Sequence, residues 1–75
     1  MPDQRLFLFA TIRPEPEFFE DARLALEALV PPTLAEPGCH IFSVFVSRDE
    51  PTVLHLFECF EDDAALEAHY AKTYT

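Results

Sequence analysis

The chain has 75 residues, of which 49% are hydrophobic, and its formal net charge at pH 7 is −9. This length predicts one domain over residues 1–75, and the apolar content is too high for a disordered chain. The acidic balance and the five scattered Lys and Arg residues disfavour nucleic acid and anionic membrane surfaces as partners. With two cysteines, no signal-peptide pattern and no apolar run of roughly 18 residues, the protein is expected to be reduced, cytoplasmic and outside the membrane.

The amino-terminal half predicts a strand followed by a helix. Residues 4–13 alternate with a period of two, and both resulting faces are apolar. A Pro-Glu-Pro break at residues 14–16 opens an amphipathic helix from about residue 17. Because proline has no amide proton and crowds the preceding turn, Pro31 and Pro32 predict that this helix ends near Val30. A short extra turn over residues 32–36 is expected to follow it.

Gly38, the single glycine, predicts the turn that joins this helix to a second strand. A lone glycine is expected either to need a positive φ or to lie where another part of the backbone approaches closely. Residues 39–47 and 52–60 alternate as two strands around a turn at residues 48–51. The acidic residues 61–63 then predict the amino-terminal cap of a last helix over residues 64–73.

The predicted order β-α-β-β-α is that of a ferredoxin-like βαββαβ unit without its final strand. Two helices cover only one face of a sheet, and the strands here are apolar on both faces. A second copy packed against the uncovered face, as a sheet-on-sheet homodimer, is the simplest way to bury it. The edge that the final strand would cover is expected to invite pairing with a neighbouring chain.

Three motifs follow one another along the chain. Residues 32–39 read Pro-Thr-x-x-Glu-Pro-Gly-Cys, residues 57–60 read Phe-Glu-x-Phe, and residues 65–69 read Ala-Leu-Glu-Ala-His. This series resembles the antibiotic biosynthesis monooxygenase family of dimeric α+β barrels. The chain departs from the family in having Phe60 where a Trp is usual and Tyr74 where a second His is frequent. It also stops at Thr75, before the expected final strand.

The resemblance implies a cofactor-independent monooxygenase, an oxidoreductase that oxidises a small phenolic, quinol or anthrone-like molecule with O2. In that reaction His69 would be the base that takes a proton from the substrate, with Tyr70 and Glu58 orienting it. The predicted substrate contacts are His55, Phe57, Phe60 and Tyr74. The alternative is a non-catalytic dimeric barrel that binds a small apolar ligand or serves as an assembly module. Heme degradation is a weaker option, because resemblance to the heme-degrading branch would imply a Trp and an Asn on the first strand, and this sequence has neither.

Each candidate residue also has a purely structural interpretation. His69 could be a core-edge histidine satisfied by one hydrogen bond, and Glu58 could belong to a structural ion pair. Most of the phenylalanines are expected to be core residues rather than pocket walls. The three histidines lack the spacing of metal ligands, and no glycine-rich phosphate loop is present, so neither a metal nor a cofactor is expected. Cys39 and Cys59 have no cationic neighbour in sequence and are expected to be small apolar residues rather than nucleophiles.

Overall fold

The computed structural model describes residues 4–73, which form a three-stranded antiparallel sheet and two helices. The elements in chain order are β1 (Leu6–Ile12), a 3₁₀ turn (Pro16–Phe18), α1 (Phe19–Leu34), β2 (Cys39–Val46), β3 (Leu54–Phe60) and α2 (Asp63–Tyr70). The predicted α+β class and β-α-β-β-α order are therefore confirmed. β3 begins later than expected, because Val53 closes the preceding turn by donating its N–H to the carbonyl of Glu50 (2.9 Å).

β3 lies at the centre of the sheet and pairs antiparallel with both β1 and β2. Its pairing with β1 runs from Leu6 opposite Phe60 to Ile12 opposite Leu54. Because it has a strand on each side, β3 carries most of the core, and Leu54 and Phe60 are both fully buried. The arrangement is the ferredoxin-like one expected from the order of the elements.

The helices cover one face of this sheet and leave the other open. On the covered face, α1 packs against β2 and α2 packs against β3. On the open face, Phe7, Phe9 and Phe45 are 55%, 80% and 51% exposed. This confirms the prediction that the helices cover only one face of the sheet. Alternate side chains of a strand point to opposite faces, and those of β1 are apolar on both. Within residues 4–73, no helix is long and apolar enough to cross a membrane.

The first helix continues through both of its prolines, and the predicted end near Val30 with a separate turn over residues 32–36 is wrong. α1 runs to Leu34 with Pro31 and Pro32 inside it. The fixed φ of proline suits a helix, but the missing N–H groups leave the carbonyl groups of Glu27 and Ala28 without their helical hydrogen bonds, and the rings crowd the preceding turn. Both of these residues are exposed, and water can hydrate their carbonyl groups.

A glycine is needed at residue 38 because α2 approaches the backbone closely there, and not because the turn requires a positive φ. Its φ is not in the left-handed region, so that alternative is wrong. A methyl group in place of its hydrogen would collide with Cβ of Ala65 in α2, and its carbonyl accepts the N–H of Glu61 at 2.8 Å. The turn after α1 therefore lies directly against the start of α2. The predicted acidic cap is also confirmed there, since Asp62 accepts the N–H of Ala65 at 2.9 Å.

Candidate functional site

His69 and Glu36 form a buried pair between the last turn of α2 and the loop after α1. Nδ1 of His69 lies 3.0 Å from Oε2 of Glu36, and the two residues are only 5% and 9% exposed. The position of Glu36 follows from its backbone: its N–H donates to the carbonyl of Thr33 (3.0 Å), and its own carbonyl accepts the N–H of Cys39 (3.1 Å). This tight turn holds the carboxyl group beneath α2. The pair joins two elements that are 33 residues apart in the chain.

Aromatic rings surround the imidazole of His69. The ring centroids of Phe60 and Phe42 lie 5.1 Å and 5.9 Å from it, both tilted, and that of Tyr70 lies 5.6 Å away. Phe60 and Phe42 are buried, whereas Tyr70 is 62% exposed on the outer side of α2. The two phenylalanines occupy the space beside His69 on the sheet side. The imidazole therefore lies in a largely apolar environment, where charges and hydrogen bonds act more strongly than in water.

Glu58 is a second buried carboxyl group on the same face of the sheet. It stands in β3 between Leu8 of β1 and Phe42 of β2, and it is 9% exposed. Burial raises the pKa of Glu58, and the nearby His69 acts in the opposite direction with a smaller effect. A carboxyl group that keeps its proton to a higher pH than usual is suited to donate a hydrogen bond or a proton.

Two further polar side chains lie at the ends of neighbouring elements, Thr33 near the end of α1 and Cys39 at the start of β2. Burial raises the pKa of the Cys39 thiol, and the charges of Glu36 and Glu58 add to this effect. Cys39 is therefore kept in its unreactive thiol form. Thr33 is completely buried, and its hydroxyl has no hydrogen-bond partner among residues 4–73. An unpaired buried hydroxyl costs about 1–3 kcal/mol, so Thr33 lowers the free energy of unfolding.

The residues predicted for the site fall into two groups on opposite faces of the sheet. His69, Glu58 and Phe60 lie together on the helix-covered face. His55 and Phe57 point to the open face, because they alternate with Glu58 and Phe60 along β3. Tyr70 is next to the first group but faces outward, and Tyr74 lies outside the described residues.

On the open face, His55 and Phe57 belong to an aromatic surface. The ring of Phe57 is stacked against Phe9 (4.8 Å) and Phe7 (6.1 Å), and Nδ1 of His55 lies 3.2 Å from Oγ1 of Thr11. We call these five residues the open-face cluster. Its members do not contact the Glu36–His69 pair, since the thickness of the sheet separates them.

The residue that sequence reasoning missed is Glu36. Its signal was present in the Glu-Pro-Gly-Cys motif at residues 36–39, which identified only the scaffold. The described part of the chain also has a shallow cleft of about 620 Å3 between the starts of β1 and α2. Its lining residues are Gln4, Arg5, Leu6, Asp62, Asp63 and Ala64. The cleft contains none of the predicted catalytic residues. Over the same residues 4–73, no cluster of three His, Cys, Asp or Glu side chains could hold a metal ion.

Comparison with known proteins identifies relatives over nearly the whole chain. A sequence profile of the antibiotic biosynthesis monooxygenase family matches residues 5–74. No curated protein matches significantly. Among solved structures, protein SO0527 from Shewanella oneidensis is 34% identical, with a TM-score of 0.93 over 97% of this chain and 71% of that one. PA3566 from Pseudomonas aeruginosa is 35% identical, with a TM-score of 0.91 over 95% and 72%. Rv0793 from Mycobacterium tuberculosis is 30% identical, with a TM-score of 0.88 over 93% and 70%.

Proposed function

Since the chain belongs to the antibiotic biosynthesis monooxygenase family, we propose that it oxidises a small phenolic, quinol or anthrone-like substrate with O2 and without a cofactor. The observation that carries this proposal is the buried Glu36–His69 pair. An imidazole held by a carboxylate is a suitable general base for an acidic C–H or O–H group of an aromatic substrate. The resulting anion is electron-rich and can react directly with O2.

The reaction balances with the substrate as the only source of electrons. When a CH2 group of an anthrone becomes a carbonyl, one oxygen atom of O2 enters the substrate. The other oxygen atom takes the two hydrogens and leaves as water. His69 removes the first proton, and Glu58, whose pKa is raised by burial, can return a proton to the departing oxygen. Phe42 and Phe60 pack beside the imidazole and keep water away from the base.

Oxygen consumption with a panel of anthrones and hydroquinones tests this proposal. A positioned general base contributes typically 10²–10⁴-fold, so His69→Ala should lower the rate by about that factor. The matched control is His40→Ala, because His40 also contacts a glutamate, Glu61, but on the exposed surface. It should keep wild-type activity. A wild-type protein inert towards the whole panel, or a His69→Ala variant as active as wild type, would overturn the assignment.

We further propose that two copies pack through the open-face cluster as a homodimer. The supporting observation is the exposure of Phe7 and Phe9 at 55% and 80% on a face that no helix covers. Large exposed apolar patches of this kind mark interaction sites.

Both cysteines are free thiols, which supports the reducing cytoplasm as the compartment of this dimer.

Light scattering at micromolar concentration tests the dimer. The wild type should have twice the mass of the 8.6 kDa chain. Phe9→Asp should be monomeric, because it places a charge at the centre of the apolar surface. The control is Phe18→Asp, since Phe18 is similarly exposed (54%) but lies in the 3₁₀ turn away from this face. A monomeric wild type, or a dimeric Phe9→Asp variant, would contradict the proposal.

One observation favours a second candidate function, a non-catalytic barrel that binds a small apolar ligand. Phe42 and Phe60 fill the space beside His69, and the described cleft lies elsewhere. This alternative predicts that an aromatic ligand from the panel binds, as seen by calorimetry, while no oxygen is consumed. Binding with turnover would exclude it.

A further inference from the structure

We propose that Glu36 is a positioning residue that holds the imidazole of His69 in the tautomer with its proton on Nδ1. The lone pair of the ring is then on Nε2, which becomes the basic atom. The side chains of His69 and Glu36 are only 6% and 8% exposed, and Nδ1 and Oε2 are 3.0 Å apart. When the carboxyl group of Glu36 is ionised it is an acceptor only, and the proton of this hydrogen bond then belongs to Nδ1.

The geometry of the pair is determined from both sides. The turn that carries Glu36 is closed by hydrogen bonds to Thr33 and from Cys39, at 3.0 Å and 3.1 Å. Two residues later, Gly38 packs against the first turn of α2, and α2 also carries His69. The carboxylate and the imidazole therefore belong to elements in direct contact. A shift of one relative to the other would require the Gly38 contact to open.

The other titratable groups near His69 are less suited to set its tautomer. Burial favours the protonated form of Glu58, in which the carboxyl group is a donor as well as an acceptor. Tyr70 follows His69 on α2 but is largely exposed, and the raised pKa of Cys39 keeps its thiol neutral. Glu36 is a buried acceptor with a hydrogen bond to a ring nitrogen of His69. A fixed tautomer is the role that a carboxylate has beside a catalytic histidine.

Nitrogen NMR of ¹⁵N-histidine-labelled protein at about pH 8 measures the tautomer directly, because protonated and unprotonated ring nitrogens have distinct shifts. We expect His69 to show a protonated Nδ1 and an unprotonated Nε2. Glu36→Ala should release the preference, giving a mixture or the opposite tautomer. Glu36→Gln, turned so that its amide oxygen faces Nδ1, should restore it. If Glu36 had only a structural role, the Nδ1-protonated tautomer would not be present in the wild type, lost in Glu36→Ala and restored in Glu36→Gln.

The exposed pair of the chain supplies the matched control. His40 contacts Glu61 through Nε2, so Glu61→Ala removes a glutamate from a histidine without touching the buried pair. Its His69 signals should be those of the wild type. An unprotonated Nδ1, or a doubly protonated ring, in the wild-type His69 would overturn the proposal even if Glu36→Ala fails to fold. Retention of the wild-type tautomer in a folded Glu36→Ala variant would overturn it as well.

The catalytic meaning of this tautomer rests on the proposed function, whereas the tautomer itself does not. If the wild type turns over a substrate, Glu36→Ala should lower kcat by about tenfold or more with little change in KM, and Glu36→Gln should recover part of it. If the wild type is inert but His69 has its proton on Nδ1, the proposed function fails and the positioning role of Glu36 stands. Unchanged kcat in folded Glu36→Ala would refute the catalytic part.

Discussion

A single methyl group at residue 38 should destabilise the whole fold. The φ of Gly38 is not positive, so alanine there has no backbone strain. The added Cβ would have ordinary contacts with Cα of Ala65 (3.5 Å) and Cβ of Glu61 (3.8 Å), but it would collide with Cβ of Ala65. Overpacking of this kind costs about 1–3 kcal/mol. Because a domain of this size has roughly 3–5 kcal/mol of stability in all, Gly38→Ala should remove a large part of it.

The opposing methyl group offers a rescue. Ala65→Gly alone should cost about 1 kcal/mol, the difference in helix propensity between alanine and glycine. In the double variant Gly38→Ala, Ala65→Gly the collision is absent, and a glycine-to-alanine change without strain adds about 0.4–1 kcal/mol through the unfolded chain. The double variant should therefore lie within about 1 kcal/mol of the wild type, although each single variant is less stable.

The coupling between residues 38 and 65 is measured by urea unfolding, followed by circular dichroism, of the wild type, the two single variants and the double variant. Ala64→Gly provides the control for helix propensity, because Ala64 is exposed in the same turn of α2 and should not rescue Gly38→Ala. The reasoning is refuted if the free energy of unfolding of Gly38→Ala is within about 0.5 kcal/mol of that of the wild type, which is the usual range for neutral surface changes. It is also refuted if the two single effects simply add, since residues in contact should not be additive.

Two other substitutions test the buried polar groups. Thr33→Val removes a hydroxyl that has no partner among residues 4–73, so it should raise the free energy of unfolding in urea by up to about 1 kcal/mol; a loss would mean that the hydroxyl is hydrogen-bonded. Because burial raises the pKa of Glu58 above its ordinary 4.5, the folded state binds its proton more tightly than the unfolded state. The resulting stability is present below that ordinary pKa and is lost as pH rises through the folded pKa. Glu58→Gln should therefore lose less stability than the wild type between about pH 4 and pH 7, and parallel stability curves would contradict this.

The two-residue alternation of the strands was sufficient to predict the two faces of the sheet. Along β3 the same alternation places His55 and Phe57 on the face opposite to Glu58 and Phe60, although all four were predicted for one site. The end of α1 was not predictable in the same way. Pro31 and Pro32 each remove a helical hydrogen bond, but the cost depends on whether the freed carbonyl groups reach water. That exposure is a property of the folded protein and not of the local sequence.

The candidate site was predictable only in part for a similar reason. His69 could be found because its residue type and motif both point to proton transfer. Glu36 contacts it across 33 residues of chain, and no local pattern reports such a pairing. The effect of Gly38 on this contact is likewise tertiary: its lack of a side chain allows α2, and with it His69, to approach the turn that carries Glu36. Of the two expectations for this glycine, the close approach is confirmed, but the element that it contacts, α2, was not predictable from the local sequence.

The central position of β3 has a consequence for synthesis on the ribosome. β1 is synthesised first, but its partner is β3, the third of the three strands within residues 4–73. Ile12 and its partner Leu54 are separated by about 40 residues, which take several seconds to translate at roughly 5–20 residues per second. Throughout this interval β1 lacks its native ladder. Both ladders of the sheet can therefore form only once β3 has been synthesised.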